Sequence, residues 1–273
     1  MPTARNTNLH LQKNRWRKKG ISLTPMRFAL GLFGNYHVLV SIYQSDGTVS
    51  ITHGGIEMGQ GINTKAAQVC AYKFEIDVEM VKIKPSNVLT APNNFGSVNS
   101  MTSDSVCQGV IICCDILLER LSPIKAKLSP DAKWQEVIAA AAVENIDLCA
   151  IHMYTIKDVG EKNDMRYNTK TYNIFGACVT EVEVDILTGK YLNYKPPGFK
   201  DIPCDFRVTI LKNYSDPNGS PFFLRSKATG EPPLCMSCGV MFALRQAINA
   251  SRCDAGKPDD WCDISKCVTI QLF

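Results

Sequence analysis

Two stretches hold the groups that could do chemistry. Arg225-Ser226-Lys227-Ala228-Thr229-Gly230-Glu231-Pro232-Pro233-Leu234 sets one carboxylate between a glycine and two prolines. Gly230 permits unusual backbone angles, and Pro232-Pro233 pushes Glu231 toward extended geometry and stiffens the chain beyond it. A carboxylate held in a fixed direction is what a general base requires. The second stretch, Gly54-Gly55-Ile56-Glu57-Met58-Gly59-Gln60-Gly61-Ile62-Asn63-Thr64, packs four glycines into eight positions. Gly59 and Gly61 let backbone N–H groups approach an anionic or polar ligand, and a helix opening there favours negative charge. Gln60 adds an amide that donates and accepts at once. Two nucleotide motifs are excluded: Thr64 stands where a dinucleotide fingerprint needs its last glycine, and Lys65 does not follow a glycine as a phosphate loop requires. On spacing alone, a glycine turn without a ligand and a surface glutamate remain open readings.

Strands and helices must position these groups. Tyr36, Val38, Val40 and Ile42 recur at every second position, Asp46-Gly47 makes a tight turn, and Val49 and Ile51 continue a second strand. This hairpin delivers the chain to the glycine-rich loop. The pattern then predicts a helix over 64–75 capped by Asn63 or Thr64, a short strand around Val81 and Ile83, and a loop over 90–100. A helix capped near Thr102 or Ser103 carries the stripe Val106, Val110, Cys113, Leu117 and Leu121. A third starts at Ser129-Pro130 and presents Trp134, Val137, Ile138 and Ala141. Val182, Val184 and Ile186 alternate with acids in a strand ended by Thr188-Gly189. Phe206, Val208 and Ile210 predict another strand, Asp216-Pro217-Asn218-Gly219 a turn, and 234–252 a long helix with Met241, Leu244 and Ile248 inward. The class is mixed α+β, with strands and helices interleaved and no internal repeat.

Composition narrows the function classes. The 273 residues can bury a sizeable core, and 45% hydrophobic with 21% charged residues is ordinary globular usage. No run of about 18 apolar residues spans a membrane, and a net charge of +4 does not point to nucleic acid. Residues 1–45 hold Arg5, Lys13, Arg15, Arg17, Lys18, Lys19 and Arg27, and the first acid is Asp46. A transit peptide or a nuclear signal would fit; a solvated surface turn is the expectation. No apolar signal-peptide core follows Met1, so the chain is expected to be cytoplasmic. Of twelve cysteines, only Cys235 and Cys238 form a C-x-x-C, so structural thiols are the expectation.

The wording of the two stretches is similar to that of the aldehyde oxidase and xanthine dehydrogenase family of molybdenum hydroxylases. Residues 54–65 resemble the family's pterin loop, and 225–234 resemble its catalytic-glutamate segment. Asn14-Arg15-Trp16-Arg17-Lys18-Lys19-Gly20-Ile21-Ser22 and Lys200-Asp201-Ile202-Pro203 also match, so the resemblance covers about residues 11–252. It turns the basic cluster into ordinary internal sequence. It implies that Gln60 contacts the molybdenum cofactor (molybdopterin), with Gly59 and Gly61 shaping the loop. Asn99 and Ser100 would lie in another cofactor-facing segment, where Asn99 departs from the family's small residue and could crowd the metal site. Glu231 would be the proton-accepting base, and molybdenum would be held through the pterin rather than by side chains.

Residues 1–10 are polar and patternless and read as a disordered or spliced leader; the resemblance implies a truncated second molybdopterin-binding domain over 11–252, which leaves a tail over 253–273. Possible sub-units are 11–189 and 190–252, because the family carries several dozen more residues between Thr188-Gly189 and Tyr194-Lys195-Pro196-Pro197. FAD and 2Fe-2S clusters are expected only in the intact enzyme, together with the first half of the molybdenum domain. The implied substrate is a small-molecule aldehyde or N-heterocycle, oxidised with water as oxygen source. Ile56 and Ile62-Asn63 resemble the aldehyde oxidase branch slightly more. The implied partners are the missing halves of the enzyme or a second copy in a homodimer, with no nucleic acid and no membrane. The alternative is a non-catalytic fragment or interaction module that lacks activity alone.

Overall fold

The computed structural model describes residues 15–31, 34–159, 172–187, 198–210, 227–261 and 264. In chain order its strands and helices are β1 (Arg17–Ala29), β2 (Asn35–Ile42), β3 (Val49–His53), α1 (Ile62–Phe74), β4 (Val81–Ile83), α2 (Thr102–Lys125), α3 (Trp134–Val143), β5 (Cys149–Thr155), β6 (Asn173–Asp185), α4 (Pro232–Met236) and α5 (Cys238–Asp254). This is the mixed α+β class expected. The described residues fall into two compact units, a larger one within 28–174 and 220–231 and a smaller one within 1–27, 175–219 and 232–273. No described helix is long and apolar enough to cross a membrane.

The larger unit is built on a four-stranded sheet in the order β4-β3-β2-β5. The β2–β3 hairpin is antiparallel, with Val40 opposite Ile51, and β5 pairs antiparallel with the other edge of β2. β3 and β4 run parallel and are joined through α1, so the glycine-rich loop leaves the carboxyl end of β3 and opens onto a helix N-terminus. Tyr36, Val38, Val40 and Ile42 are buried, as their alternation predicts. The α2 stripe Val106, Val110, Cys113, Leu117 and Leu121 is buried too. The backbone of α2 comes close to β2: a Cβ on Gly109 would lie 2.7 Å from Val38 Cγ2. Phe74 and Trp134 stack with ring centroids 5.1 Å apart, and Trp134 Nε1 donates to Gly47 O at 2.8 Å, which joins α1, α3 and the hairpin turn.

In the smaller unit β1 and β6 pair as a two-stranded sheet. α5 buries the small residues Gly239, Ala243, Ala247 and Ser251 together with Ile248. Its contact with β1 is backbone-close, since a Cβ on Gly20 would lie 1.9 Å from Ala243 O. Lys18 is fully buried and ion-pairs with Asp254 at the far end of α5.

Several local expectations need correction. The basic cluster is not a surface turn but opens β1, where the Asp254 carboxylate compensates Lys18. α1 starts at Ile62 with Gly61 as its cap in the left-handed region (φ 80°), not at Asn63 or Thr64. α2 is capped at Met101, one residue early. α3 starts at Trp134, because Ser129-Pro130 makes a turn and the Glu136 carboxylate accepts from Lys133 N at 2.9 Å. Residues 206–210 form no strand, and Phe206, Val208 and Ile210 are exposed. The long helix over 234–252 breaks at Ser237 into α4 and α5, and Met241 points to solvent. The ten described cysteines are free thiols. The leader over 1–10, Arg225-Ser226, Thr188-Gly189, Tyr194–Pro197, the turn at 216–219 and most of the tail after 261 lie outside the described residues.

Candidate functional site

Three segments of the larger unit converge with the start of α1 on one cavity of about 300 Å³. The glycine-rich loop contributes Met58 and Gln60, α1 contributes Lys65, the 97–104 segment contributes Asn99, Ser100 and Asp104, and the 227–231 segment contributes Lys227 and Glu231. Of the residues singled out from the sequence, Gln60, Asn99, Ser100 and Glu231 therefore line the same space. Gly59 and Gly61 shape the adjoining loop without lining the cavity.

Backbone conformation in the loop follows from its glycines. Gly59 and Gly61 adopt φ of 96° and 80°, where a side chain would be strained. The turn this creates is filled by Glu57, which spacing and wording do not single out. Its Oε1 accepts from Gly59 N at 2.9 Å and Gly61 N at 3.0 Å, and its Oε2 accepts from Asn63 N at 3.0 Å. Glu57 thus acts as the cap that α1 lacks locally, and the three N–H donors, Asn63's first, hold its pKa below the ordinary carboxylate value. Its signal in the sequence is an acid close before a helix start. Gln60 is also engaged within the loop: its Oε1 accepts from Met58 N at 2.6 Å and its Nε2 donates to Ile56 O at 2.7 Å. Each end of that amide keeps a further lone pair or hydrogen.

The 97–104 segment is fixed from below by the sheet. Tyr36 OH of β2 donates to Gly96 O at 2.9 Å and lies 3.1 Å from Thr102 Oγ1. Ser97 Oγ accepts from Ile56 N at 2.9 Å, which ties this segment to the glycine-rich loop. Asn99 and Ser100 both take positive φ, 57° and 53°, costly for residues with a Cβ. Asn99 Nδ2 donates to Gly31 O at 3.3 Å, which anchors its amide sideways. Ser100 Oγ accepts from Glu231 N at 3.0 Å. Glu231 is half-buried, and among the described residues nothing hydrogen-bonds or ion-pairs with its carboxylate.

The cavity lining includes a further group that the sequence motifs do not mark. Asp104 is 1% exposed; its Oδ2 accepts from Tyr172 OH at 2.9 Å, and its Oδ1 is buried without a partner among the described residues. Burial raises its pKa, opposed by the Tyr172 hydrogen bond and by the positive charges of Lys65 and Lys227. Lys65 Nζ lies 3.1 Å from Ser103 Oγ, and Lys227 Nζ sits 4.4 Å from the centroid of the Tyr172 ring. Hydroxyls, amides and two cations around an apolar floor suit a polar, partly anionic small molecule. Among the described residues no cluster of side chains has a metal-ligating set.

Residues 3–203 match the model of the molybdopterin cofactor-binding domain. Xanthine dehydrogenase of Calliphora vicina is 33% identical over 310 residues, which takes in 92% of this chain and 22% of that protein. Xanthine dehydrogenase/oxidase of Felis catus is 30% identical over 320 residues, 96% of this chain and 23% of that protein. The chain therefore spans about a quarter of the length of these relatives. Both alignments are longer than the 273 residues available, so the relatives carry residues within them that have no counterpart here. In fold, quinoline 2-oxidoreductase from Pseudomonas putida superposes on 67% of this chain (27% of its own) with a TM-score of 0.54 and 17% identity. CO dehydrogenase from Oligotropha carboxidovorans superposes on 68% (26% of its own) with a TM-score of 0.52 and 18% identity. With more than half of its length matched, this chain belongs to the molybdopterin cofactor-binding domain family, which it shares with the xanthine dehydrogenases.

Proposed function

We propose that the cavity of the larger unit is the part of a molybdenum hydroxylase site that holds molybdopterin and presents the base. The observation that carries this reading is the convergence of Gln60, Ser100 and Glu231 on one cavity. The donor set fits such a group. Ser100 and Ser103 hydroxyls, the Gln60 amide and the Lys65 and Lys227 ammoniums suit its oxygen-rich parts, and the buried Oδ1 of Asp104, unpartnered among the described residues, suits an N–H donor. Gln60 and Ser100 would hold the cofactor, and Gly59 and Gly61 would let the loop backbone lie close to it. When bound, molybdopterin supplies the redox chemistry that this chain's side chains lack.

Glu231 would accept the proton of the attacking water-derived oxygen. Its backbone is fixed by Ser100 while no described residue engages its carboxylate, the arrangement a positioned general base needs. The proposed reaction, in the whole enzyme, oxidises an aldehyde or an N-heterocycle. The proposed boundaries are those of a truncated second molybdopterin-binding domain over 11–252. An assembled site must exclude water on all sides, so the chain alone is expected to turn over little.

A second reading has its own observation. Ile56, Met58, Val88 and Leu89 of the larger unit are 58–89% exposed, apolar surface of the kind that another polypeptide covers. On that reading the chain is a partner-dependent half-site. The test assays the purified chain with an aldehyde and an N-heterocycle, using a dye as electron acceptor, alone and after mixing with the remaining domains of a relative. Turnover that appears only on mixing and is lost in Glu231→Gln supports the proposal. Turnover unaffected by that substitution excludes Glu231 as the base.

A further inference from the structure

The segment that carries Glu231 is held at its two ends by side chains from elsewhere in the larger unit. At one end Ser100 Oγ accepts from Glu231 N at 3.0 Å. At the other, the Tyr172 hydroxyl accepts from Ala228 N at 2.6 Å while donating to Asp104 Oδ2 at 2.9 Å. Gly230 lies between, and a Cβ there would come 3.3 Å from Ser100 Oγ, so the chain runs close against its clamp. Tyr172 is itself fixed by the backbone, since its O accepts from Leu30 N at 3.0 Å. Asp104 is anchored in the first turn of α2, three residues from Met101, which is fully buried.

Geometry explains why the pair matters. A phenol that must both donate and accept has its rotor set by the stronger partner, here a carboxylate. With the O–H committed to Asp104, the phenolic lone pair faces the Ala228 amide. Removing Asp104 frees the hydroxyl to rotate, and removing the hydroxyl leaves a buried amide without an acceptor. Ala228 is 8% exposed and Tyr172 7%, so water does not readily substitute.

We infer that Asp104 and Tyr172 are positioning residues for Glu231: the carboxylate orients the phenol, the phenol fixes Ala228, and Ala228 with Ser100 sets where the Glu231 side chain leaves the backbone. The inference rests on the proposed role of Glu231 as base, because a base displaced by about 1 Å loses much of its effect. It adds two residues outside the motifs that suggested the site; Tyr172 does not line the cavity, and Asp104 lines it through the Oδ1 that the phenol leaves free.

The experiment measures amide hydrogen exchange by NMR on the full chain, with Ala228, Glu231 and the β2 residues Val38 and Val40 as reporters. In Tyr172→Phe, exchange at Ala228 is expected to accelerate roughly tenfold or more, with Glu231 following, while Val38 and Val40 stay unchanged. Asp104→Asn keeps an acceptor for the phenol and should retain protection; Asp104→Leu should lose it. Two results would overturn the inference: unchanged Ala228 exchange in Tyr172→Phe, or acceleration shared equally by Val38 and Val40, which marks general loosening. Molybdenum content measured on the same samples separates the two claims. Metal at background with the expected exchange pattern sinks the cofactor reading and leaves the clamp standing.

Discussion

Glu57 and Asp104 are carboxylates of one unit with opposite proton affinities. Glu57 is exposed and accepts three backbone N–H bonds, so its anion is favoured and its pKa lies below the ordinary value. Its contribution to the loop is present above the unfolded carboxylate value and lost only as pH falls through the depressed native one. Glu57→Gln is therefore expected to speed amide exchange at Gly59, Gly61 and Asn63 at neutral pH, and unchanged exchange would contradict its capping role. Asp104 goes the other way. Burial favours its protonated form, so the native state binds that proton more tightly than the unfolded chain. Stability due to Asp104 thus falls as pH rises from the ordinary aspartate value through the raised native pKa. Urea unfolding of Asp104→Asn against the native sequence, from about pH 4 to about pH 7, should show the variant gaining relative stability as pH rises. A pH-independent difference would argue against a buried, reluctant carboxylate. Wording drew Gln60, Ser100 and Glu231 together, and the three share a cavity. Glu57, Asp104 and Tyr172 were not legible in it, because their roles depend on partners set by the fold.

At the scale of elements, periodicity was informative and boundaries were not. The α2 stripe and the β2 alternation are each buried as their spacing predicts, because both follow from the geometry of one element against one core. Helix starts depended on caps from a distance. Glu57, six residues before Asn63, does for α1 what a neighbouring serine or asparagine does elsewhere. β1 was hidden for a similar reason: Lys18 sits where an apolar residue belongs, and its partner Asp254 is 236 residues away. Close packing between elements gives the sharpest stability test. Gly109→Ala places a methyl 2.7 Å from Val38 Cγ2, and overpacking of this kind costs about 1–3 kcal/mol. Gly20→Ala meets the Ala243 backbone, which cannot rotate aside, and should cost about 3 kcal/mol or more. Denaturant titration of both variants checks these values, and a neutral Gly20→Ala would contradict the close approach of β1 and α5.

For the whole molecule, fold class and family were legible, whereas local strands that depend on neighbours were not. Residues 206–210 alternate like a strand, yet their apolar side chains are exposed, and among the described residues no strand pairs with them. Relatives more than four times as long carry residues within the aligned region that this chain lacks. Ile56, Met58, Val88 and Leu89 are exposed apolar side chains of the larger unit. A dye that fluoresces on apolar surface should bind the chain, and should be displaced when the remaining domains of a relative are added. The most direct measurement is the molybdenum and pterin content of the chain, purified from a host that makes the cofactor, for the native sequence and for Gln60→Ala. Metal and pterin are expected to co-purify with the native chain and to fall sharply in the variant. Metal and pterin both at background in the native chain would contradict a cofactor site in this cavity.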